Sequence, residues 1–95
     1  MRKRARVDSN QSEIVKALRS IGCSVLPTHQ LGAGAPDIAV GLRGHTLFLE
    51  IKDGDKPPSE QQLTQDEQRF MREWRGHYAV VHNVIEAIDE VRRFA

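Results

Sequence analysis

Three residues near the middle of the chain combine the acidic and basic groups that phosphate chemistry uses. Asp37 follows a proline, and Glu50 and Lys52 are separated by a single residue. Residues two apart on a β-strand share one face, so Glu50 and Lys52 would be side-chain neighbours on a strand. Two carboxylates held close together repel each other and favour a hard divalent cation, which takes oxygen ligands. The pattern raises the hypothesis of a metal site formed by Asp37, Glu50 and the backbone carbonyl of Ile51.

A cation at that place would lower the pKa of a bound water and stabilise negative charge on a phosphate. The compact ammonium of Lys52 could orient the water or neutralise the developing charge. A simpler interpretation exists for each fragment. An E-x-K pair on a strand is commonly an exposed ion pair worth about 0–1 kcal/mol, and a Pro-Asp dipeptide is common in turns. The order and spacing of the residues, not any one of them, favour the metal site.

Two predicted strands position these side chains. Residues 37–42 and 45–52 are rich in strand-forming apolar residues, and Arg43-Gly44 between them is typical of a hairpin turn. A hairpin would bring Asp37 and Glu50 together at one end of the sheet. The second strand alternates between two faces. One face carries Leu47, Leu49 and Ile51, and the other carries Thr46, Phe48, Glu50 and Lys52.

The chain before the hairpin predicts a helix and a short strand. Residues 1–8 form a basic arm, and from residue 9 apolar residues recur at the helical spacing i, i+4, i+7, namely Ile14, Leu18 and Ile21. Gly22 is a typical helix stop. Residues 23–26 predict a strand closed by Pro27, and residues 29–35 a glycine-punctuated loop.

The chain after the hairpin predicts a loop over residues 53–62, a helix, a strand over 78–82 and a last helix. Thr64 and Glu67 form a capping box for the first of these helices, and Gly76 is predicted to terminate it. Trp74 is expected in the core beside Phe70. Asn83 with Glu86 resembles a second cap, and the last helix carries the stripe Val84, Ile88 and Val91. We therefore predict an α/β fold, an αβββαβ core with a small mixed β-sheet flanked by helices, in a single domain over residues 9–95.

The composition limits the possible classes of protein. A chain of 95 residues with one cysteine has room for one small domain, no internal disulfide and no cysteine-based zinc site. No run approaches the roughly 20 apolar residues that a membrane span needs, and no apolar segment of a signal peptide follows the basic start. We expect a soluble, intracellular (cytoplasmic) protein with no membrane partner.

The basic arm of residues 1–8 could bind phosphates along a nucleic acid, although the net charge of the chain is only +1. The alternative is that the arm is simply a frayed terminus. Its basic residues are Arg2, Lys3, Arg4 and Arg6.

The segments GAPD and LEIK resemble the PD-(D/E)XK nuclease motif, with Pro36-Asp37, twelve residues, and then Glu50-Ile51-Lys52. The segments KDGDKPPSEQQLT, EWRG and YAVVHNVIEAI are similar to the small stand-alone VRR-NUC domains of that superfamily, many of them phage-encoded. This resemblance extends over residues 9–90. It implies a restriction-endonuclease-like fold and an endonuclease that depends on Mg²⁺ or Mn²⁺.

The resemblance also implies a role for individual residues. Asp37 and Glu50 would bind the metal, and Lys52 would be the catalytic lysine. A glutamate of the family's first helix matches Glu13, which would reach the metal directly or through water. A glutamine on the helix after the E-x-K strand would complete the site. Gln68, one turn inside that helix, is the favoured match, and Gln65 at its start is the alternative.

DNA is the partner that the resemblance implies. Its predicted phosphate contacts are the basic arm, Lys56 and His29. One site cuts one phosphodiester, so coordinated cutting of two strands requires a second copy of the chain, most simply a two-fold homodimer. Small dimeric proteins of this kind resemble Holliday junction resolvases, which predicts a structure-selective enzyme for four-way junctions. The alternatives are a less selective nuclease for flap, nicked or duplex DNA, a DNA-binding module without catalysis, and an interaction domain with a chance E-x-K.

Overall fold

The computed structural model describes residues 10–94, which form a four-stranded mixed sheet and three α-helices. The helices are α1 (Gln11–Ser20), α2 (Gln65–Glu73) and α3 (Val84–Phe94), and the strands are β1 (Ser24–Pro27), β2 (Ile38–Leu42), β3 (His45–Ile51) and β4 (His77–Val81). Single 3₁₀ turns cover His29–Leu31 and Pro58–Glu60. The order αβββαβα confirms the predicted fold class. In this part of the chain no helix is both long and apolar enough to cross a bilayer.

The strands lie in the order β1-β2-β3-β4. The first three are antiparallel neighbours, and β4 runs parallel to β3 after the crossover through α2. The β2–β3 turn has positive φ at both central residues, 54° at Arg43 and 83° at Gly44. Positive φ at both positions is the requirement of a type I′ turn, whose twist matches that of the strands it joins. The predicted hairpin is confirmed.

The main core lies between one face of the sheet and the helices α1 and α3. Leu47, Leu49 and Ile51 on β3 are all buried there, as the alternation of β3 predicts. Both helices contribute apolar residues of their predicted stripes, but Ile21 lies just beyond α1 and is 38% exposed. The other buried members are Ile14, Leu18, Cys23, Ile38, Val40, Val81, Ala87 and Val91. The polar residues Glu50 and Lys52 of β3 lie on the opposite side of the sheet.

The opposite face of the sheet is covered by α2 through an aromatic cluster. The Phe48 ring lies 5.9 Å from Phe70 and 4.9 Å from Trp74, both edge-on, and Phe70 also meets Tyr78 at 5.9 Å. Trp74 packs on this cluster but keeps 43% of its surface exposed. The expectation that Trp74 belongs to the core is therefore only half right. It lies just beyond the last residue of α2, where Phe48 of the sheet and Phe70 of the helix are its aromatic contacts.

The helix ends match the predictions at the caps and at Gly22, which follows the C-cap of α1 with a φ of +100°, but not at Gly76. The Thr64 side chain accepts a hydrogen bond from the Glu67 amide, and the Glu67 side chain accepts one from the Thr64 amide. The helix α2, however, ends at Glu73 and not at Gly76, because the backbone of Trp74 is already extended. A Cβ on Gly76 would lie 2.8 Å from the indole nitrogen of Trp74. Gly76 thus makes room for the indole ring.

The remaining boundaries differ from prediction by one or two residues, a normal uncertainty for element ends. The first strand runs over Ser24–Pro27 and includes its proline, which an edge strand tolerates because its outer N–H groups need no partner. The last strand runs over His77–Val81. Asn83 caps α3, since its side chain accepts a hydrogen bond from the Glu86 amide at 2.8 Å.

Candidate active site

Asp37 and Glu50 lie opposite each other at one end of the β2–β3 hairpin. Ile38 pairs with Leu49 in the antiparallel register, so the next residue outward on each strand is Asp37 on one and Glu50 on the other. Directly opposed residues point to the same side of a sheet. Both side chains are buried, with 8% and 2% of their surfaces exposed. The hairpin alone therefore brings two carboxylates together in a place with little access to water.

Asp37 is held from two directions. Its Oδ2 accepts a hydrogen bond of 2.6 Å from the Ile51 amide, which ties the carboxylate to β3. Its carbonyl accepts a hydrogen bond of 2.9 Å from the Thr28 amide. The buried Thr28 hydroxyl donates to the carbonyl of Pro36 at 2.6 Å. The end of β1 and the Pro-Asp peptide therefore form one hydrogen-bonded unit that sets the direction of the Asp37 side chain.

Lys52 lies beside the carboxylates and is held by a residue of α2. Its Nζ is 3.7 Å from Glu50 Oε2 and donates a hydrogen bond of 3.0 Å to Glu67 Oε1. Its backbone amide donates to the Val81 carbonyl at 2.9 Å, which extends the β3–β4 pairing by one residue. We call Asp37, Glu50, Lys52 and Glu67 the carboxylate–lysine cluster.

The cluster carries more negative charge than Lys52 can balance. Burial, followed by the neighbouring charges of Asp37 and Glu67, raises the pKa of Glu50 to about 10, and Lys52 offsets this only in part. Burial and the same three carboxylates also raise the pKa of Tyr78 well above its ordinary value, so its phenol stays protonated. An additional positive charge would be stabilised here.

The donor set fits a hard divalent cation. Glu50 Oε1 is buried and has no hydrogen-bond partner among residues 10–94, a costly condition unless a cation or ordered water completes its shell. In the same residues, no group of three or more His, Cys, Asp and Glu side chains could hold a metal by itself. A cation would therefore combine Asp37 and Glu50 with the Ile51 carbonyl and water, which suits Mg²⁺ because it retains several waters.

The other two predicted site residues lie outside the cluster. Glu13 is exposed on α1, and no hydrogen bond or ion pair of residues 10–94 joins it to the carboxylates. Gln68 is also exposed, and its side-chain amide donates to the Leu63 carbonyl at 3.0 Å, so it serves the loop that leads into α2. Gln65 is exposed at the first position of that helix. The roles of these residues at a metal remain predictions.

Glu67 is the residue of α2 that contacts Lys52. The sequence pattern predicted only its role as a helix cap. One oxygen, Oε1, accepts hydrogen bonds from the Thr64 amide at 2.9 Å and from Lys52 Nζ at 3.0 Å. Burial would raise the pKa of Glu67, but the Thr64 amide and Lys52 outweigh it and keep the pKa below its ordinary value. A capping glutamate at the start of the helix after an E-x-K strand is the signal that could have indicated this second contact.

Substitutions at Glu67 should separate capping from ion pairing. Glutamine can replace glutamate in a capping box, so Glu67→Gln should lower the free energy of unfolding by less than about 1 kcal/mol. Glu67→Ala removes the cap and the charge-assisted bond to Lys52 together, and we expect a loss of about 2 kcal/mol or more. Urea unfolding of the two variants measures the difference. Equal losses would mean that the ion pair with Lys52 accounts for the whole contribution of Glu67 and that its cap adds nothing.

The predicted DNA contacts fall into three groups. His29 begins the 3₁₀ turn that follows β1, two residues along the chain from Pro27, which pairs with Ile38. Lys56 is half-buried in the loop after β3, where its carbonyl accepts a hydrogen bond from the Gln61 side chain. The basic residues Arg2, Lys3, Arg4 and Arg6 lie outside the described residues.

The architecture and the cluster define a small α/β domain of nuclease-like fold. A solved structure described as a VRR_NUC domain is similar to this chain, with a TM-score of 0.57 and 26% sequence identity, over 90% of this chain and 92% of that chain. The resemblance expected from the motifs is thereby confirmed. No family model and no curated protein matches the chain.

Proposed function

We propose that this protein is a divalent-metal-dependent endonuclease that hydrolyses DNA phosphodiester bonds, acts on four-way junctions and works as a homodimer. The observation that carries the proposal is the convergence of Asp37, Glu50 and Lys52 at one end of the hairpin, with a buried Glu50 oxygen that lacks a partner. The similar VRR_NUC structure supports the nuclease class.

The residues of the cluster divide the chemistry between them. Asp37, Glu50 and the Ile51 carbonyl would hold Mg²⁺ or Mn²⁺, with Glu13 as a further ligand directly or through water. The bound cation supplies an acidified water and charge neutralisation at the phosphate. Lys52 places an ammonium next to the reacting phosphate, where it stabilises the added negative charge. Glu67 keeps that ammonium in place through its hydrogen bond of 3.0 Å, and Gln68 or Gln65 is the proposed glutamine of the site.

The presence of a single proposed active site in each chain supports a dimer. One cluster cuts one strand, and a two-fold dimer presents two clusters related by the symmetry that a four-way junction itself possesses. Such recognition depends on the shape and backbone of DNA more than on base edges. Phosphate contacts from His29, Lys56 and the basic arm of residues 1–8 suit that mode.

A cleavage assay tests the proposal. A labelled four-way junction and a duplex of the same sequence are incubated with the protein in Mg²⁺, Mn²⁺ or EDTA, with Lys52→Ala as the control for contaminating nuclease. We expect paired, symmetric nicks in the junction that require the metal and are absent from the duplex and the variant. Equal cutting of both substrates would retain the nuclease and reject junction selectivity. Binding without cutting in either metal would instead support a DNA-binding module without catalysis.

A further inference from the structure

A groove that begins at the same end of the sheet as the cluster has the features of a second contact for DNA. It runs along α1, from Gln11 in the first turn to Arg19 in the last, beside the end of β1, and has a volume of about 470 Å³. Its rim carries Lys16, Arg19 and His29, and none of its lining residues is acidic. Arg19 donates one hydrogen bond, of 3.2 Å, to the Val25 carbonyl, and a guanidinium has five N–H donors, so it can also bind an anion.

Two buried polar atoms of the lining residues lack partners. Gln11 is only 6% exposed, and neither its Oε1 nor the Nδ1 of His29 has a hydrogen-bond partner among residues 10–94. A buried polar group without a partner is costly and calls for an explanation such as a ligand or ordered water. Rotation of the terminal amide exchanges its oxygen and its NH₂ group, so Gln11 can direct a donor towards an anionic oxygen.

The start of α1 brings backbone N–H donors to one end of the groove. A helix N-terminus presents backbone N–H groups and the positive end of the helix dipole, and Gln11 and Ser12 in the first turn both line the groove. The side chain of Asn10 does not cap the helix. Its amide donates instead to the His82 carbonyl at 3.0 Å, just beyond β4, so α1 begins at the end of the sheet that carries the cluster.

The groove lies on the β1 side of Asp37, beside α1, which packs on the face of the sheet opposite to Glu50. The residue before His29 is Thr28, whose amide binds the Asp37 carbonyl at 2.9 Å, and β1 is the strand next to β2. Neighbouring strands lie about 4.8 Å apart. A DNA strand with one phosphate at the cluster would pass around the end of the sheet to place a nearby phosphate in the groove.

We propose that the groove between α1 and His29 is a phosphate subsite for the DNA strand that is cut, with Lys16, Arg19, His29 and Gln11 as its contacts. This inference rests on the proposed function, because it assigns the groove to the same substrate. Charge complementarity and the adjacent cluster favour DNA as the occupant. The subsite fixes the strand on the β1 side of the metal ligands and so sets its direction across the sheet.

The test compares two double variants that each remove two positive charges. Lys16→Gln/Arg19→Gln changes the groove, and Arg92→Gln/Arg93→Gln is the control, since both arginines are exposed on the last turn of α3. Arg92 lies near Leu42, at the end of β2 opposite to Asp37. Each double variant carries Lys52→Ala, so that binding of a fluorescein-labelled duplex and four-way junction is measured in Mg²⁺ without cleavage.

We expect the groove variant to bind both DNAs about tenfold more weakly at low salt. The slope of log K against log salt should fall by about 1 to 2, because each phosphate contact on duplex DNA contributes about 0.9. The control should retain the slope of the Lys52→Ala protein. Gln11→Met, which keeps the volume and removes the amide, should weaken binding and leave the slope unchanged.

Equal losses of DNA affinity in the groove variant and the control variant would overturn the subsite. An unchanged affinity of Gln11→Met, together with an unchanged salt slope of the groove variant, would also overturn it. Neither result touches the proposed function, which the cleavage of DNA by the unmodified protein decides separately. An unmodified protein that neither binds nor cuts DNA would overturn both.

Discussion

Replacing Lys52 with alanine should lower the rate of DNA cleavage by about 10³-fold, the loss that follows removal of one group that stabilises transition-state charge. Lys52 Nζ is the positive charge 3.7 Å from Glu50 Oε2, and no other side chain of the carboxylate–lysine cluster is basic. Single-turnover cleavage in Mg²⁺ measures the rate. Binding of the same DNA should persist, because the proposed phosphate contacts lie on other residues.

Two further variants make this result interpretable. Lys52→Met keeps the aliphatic stem and removes the charge, and should lose as much activity as Lys52→Ala. Arg92→Ala removes one positive charge at the other end of the sheet and should cut normally. Both Lys52 variants should unfold at lower urea concentration, because the carboxylate of Glu67 loses its counter-charge and a hydrogen bond. A folded Lys52→Met protein that cuts within tenfold of the unmodified rate would contradict the catalytic role.

Gly34→Ala should lower the free energy of unfolding by about 3 kcal/mol or more. Gly34 has a φ of +80°, which strains any residue with a Cβ. The new methyl group would also overlap the carbonyl of Asp66 and lie 2.8 Å from the Glu67 amide nitrogen. The obstructing atoms are backbone atoms of the first turn of α2, so relief requires the helix to move. Strain and overpacking each cost about 1–3 kcal/mol.

Gly44→Ala is the matched control for the backbone conformation. Its φ is +83°, and a Cβ there meets no atom within 4 Å, so the substitution should cost only about 1 kcal/mol. The difference between the two variants in urea unfolding measures the steric part alone. Equal losses would show that the glycine loop does not press against α2. Because Glu67 lies in the displaced turn, Gly34→Ala should also impair cleavage, whereas Gly44→Ala should not.

The local patterns of the sequence predicted most of the fold. The alternation along β3 predicted which of its residues are buried, and Leu47, Leu49 and Ile51 lie in the core as expected. The hairpin followed from Arg43-Gly44, and the start of α2 from the capping box at Thr64. Each of these signals acts over a few residues, through side-chain periodicity or local hydrogen bonds. Such signals need no knowledge of the rest of the molecule.

The contacts between elements were predicted less well. The contact between Glu67 and Lys52 is one that the sequence does not predict. Gln68, whose side chain donates to the Leu63 carbonyl, stays a prediction for the site. Trp74 was expected in the core and is 43% exposed. Both differences depend on how α2 is rotated and how far it extends over the sheet. That orientation is set by the aromatic rings on the sheet and by the close approach of Gly34.

The sequence by itself determined the order of the elements, the faces of β3 and the pairing of Asp37 with Glu50, because a hairpin of known turn fixes its own register. Only the tertiary structure decided that Glu67 holds Lys52, that Thr28 fixes the Asp37 peptide and that α1 and His29 border one groove. In each of these cases the partners come from elements that are separate in the chain. Their distances depend on how whole helices pack on the sheet, and no short-range pattern encodes that packing.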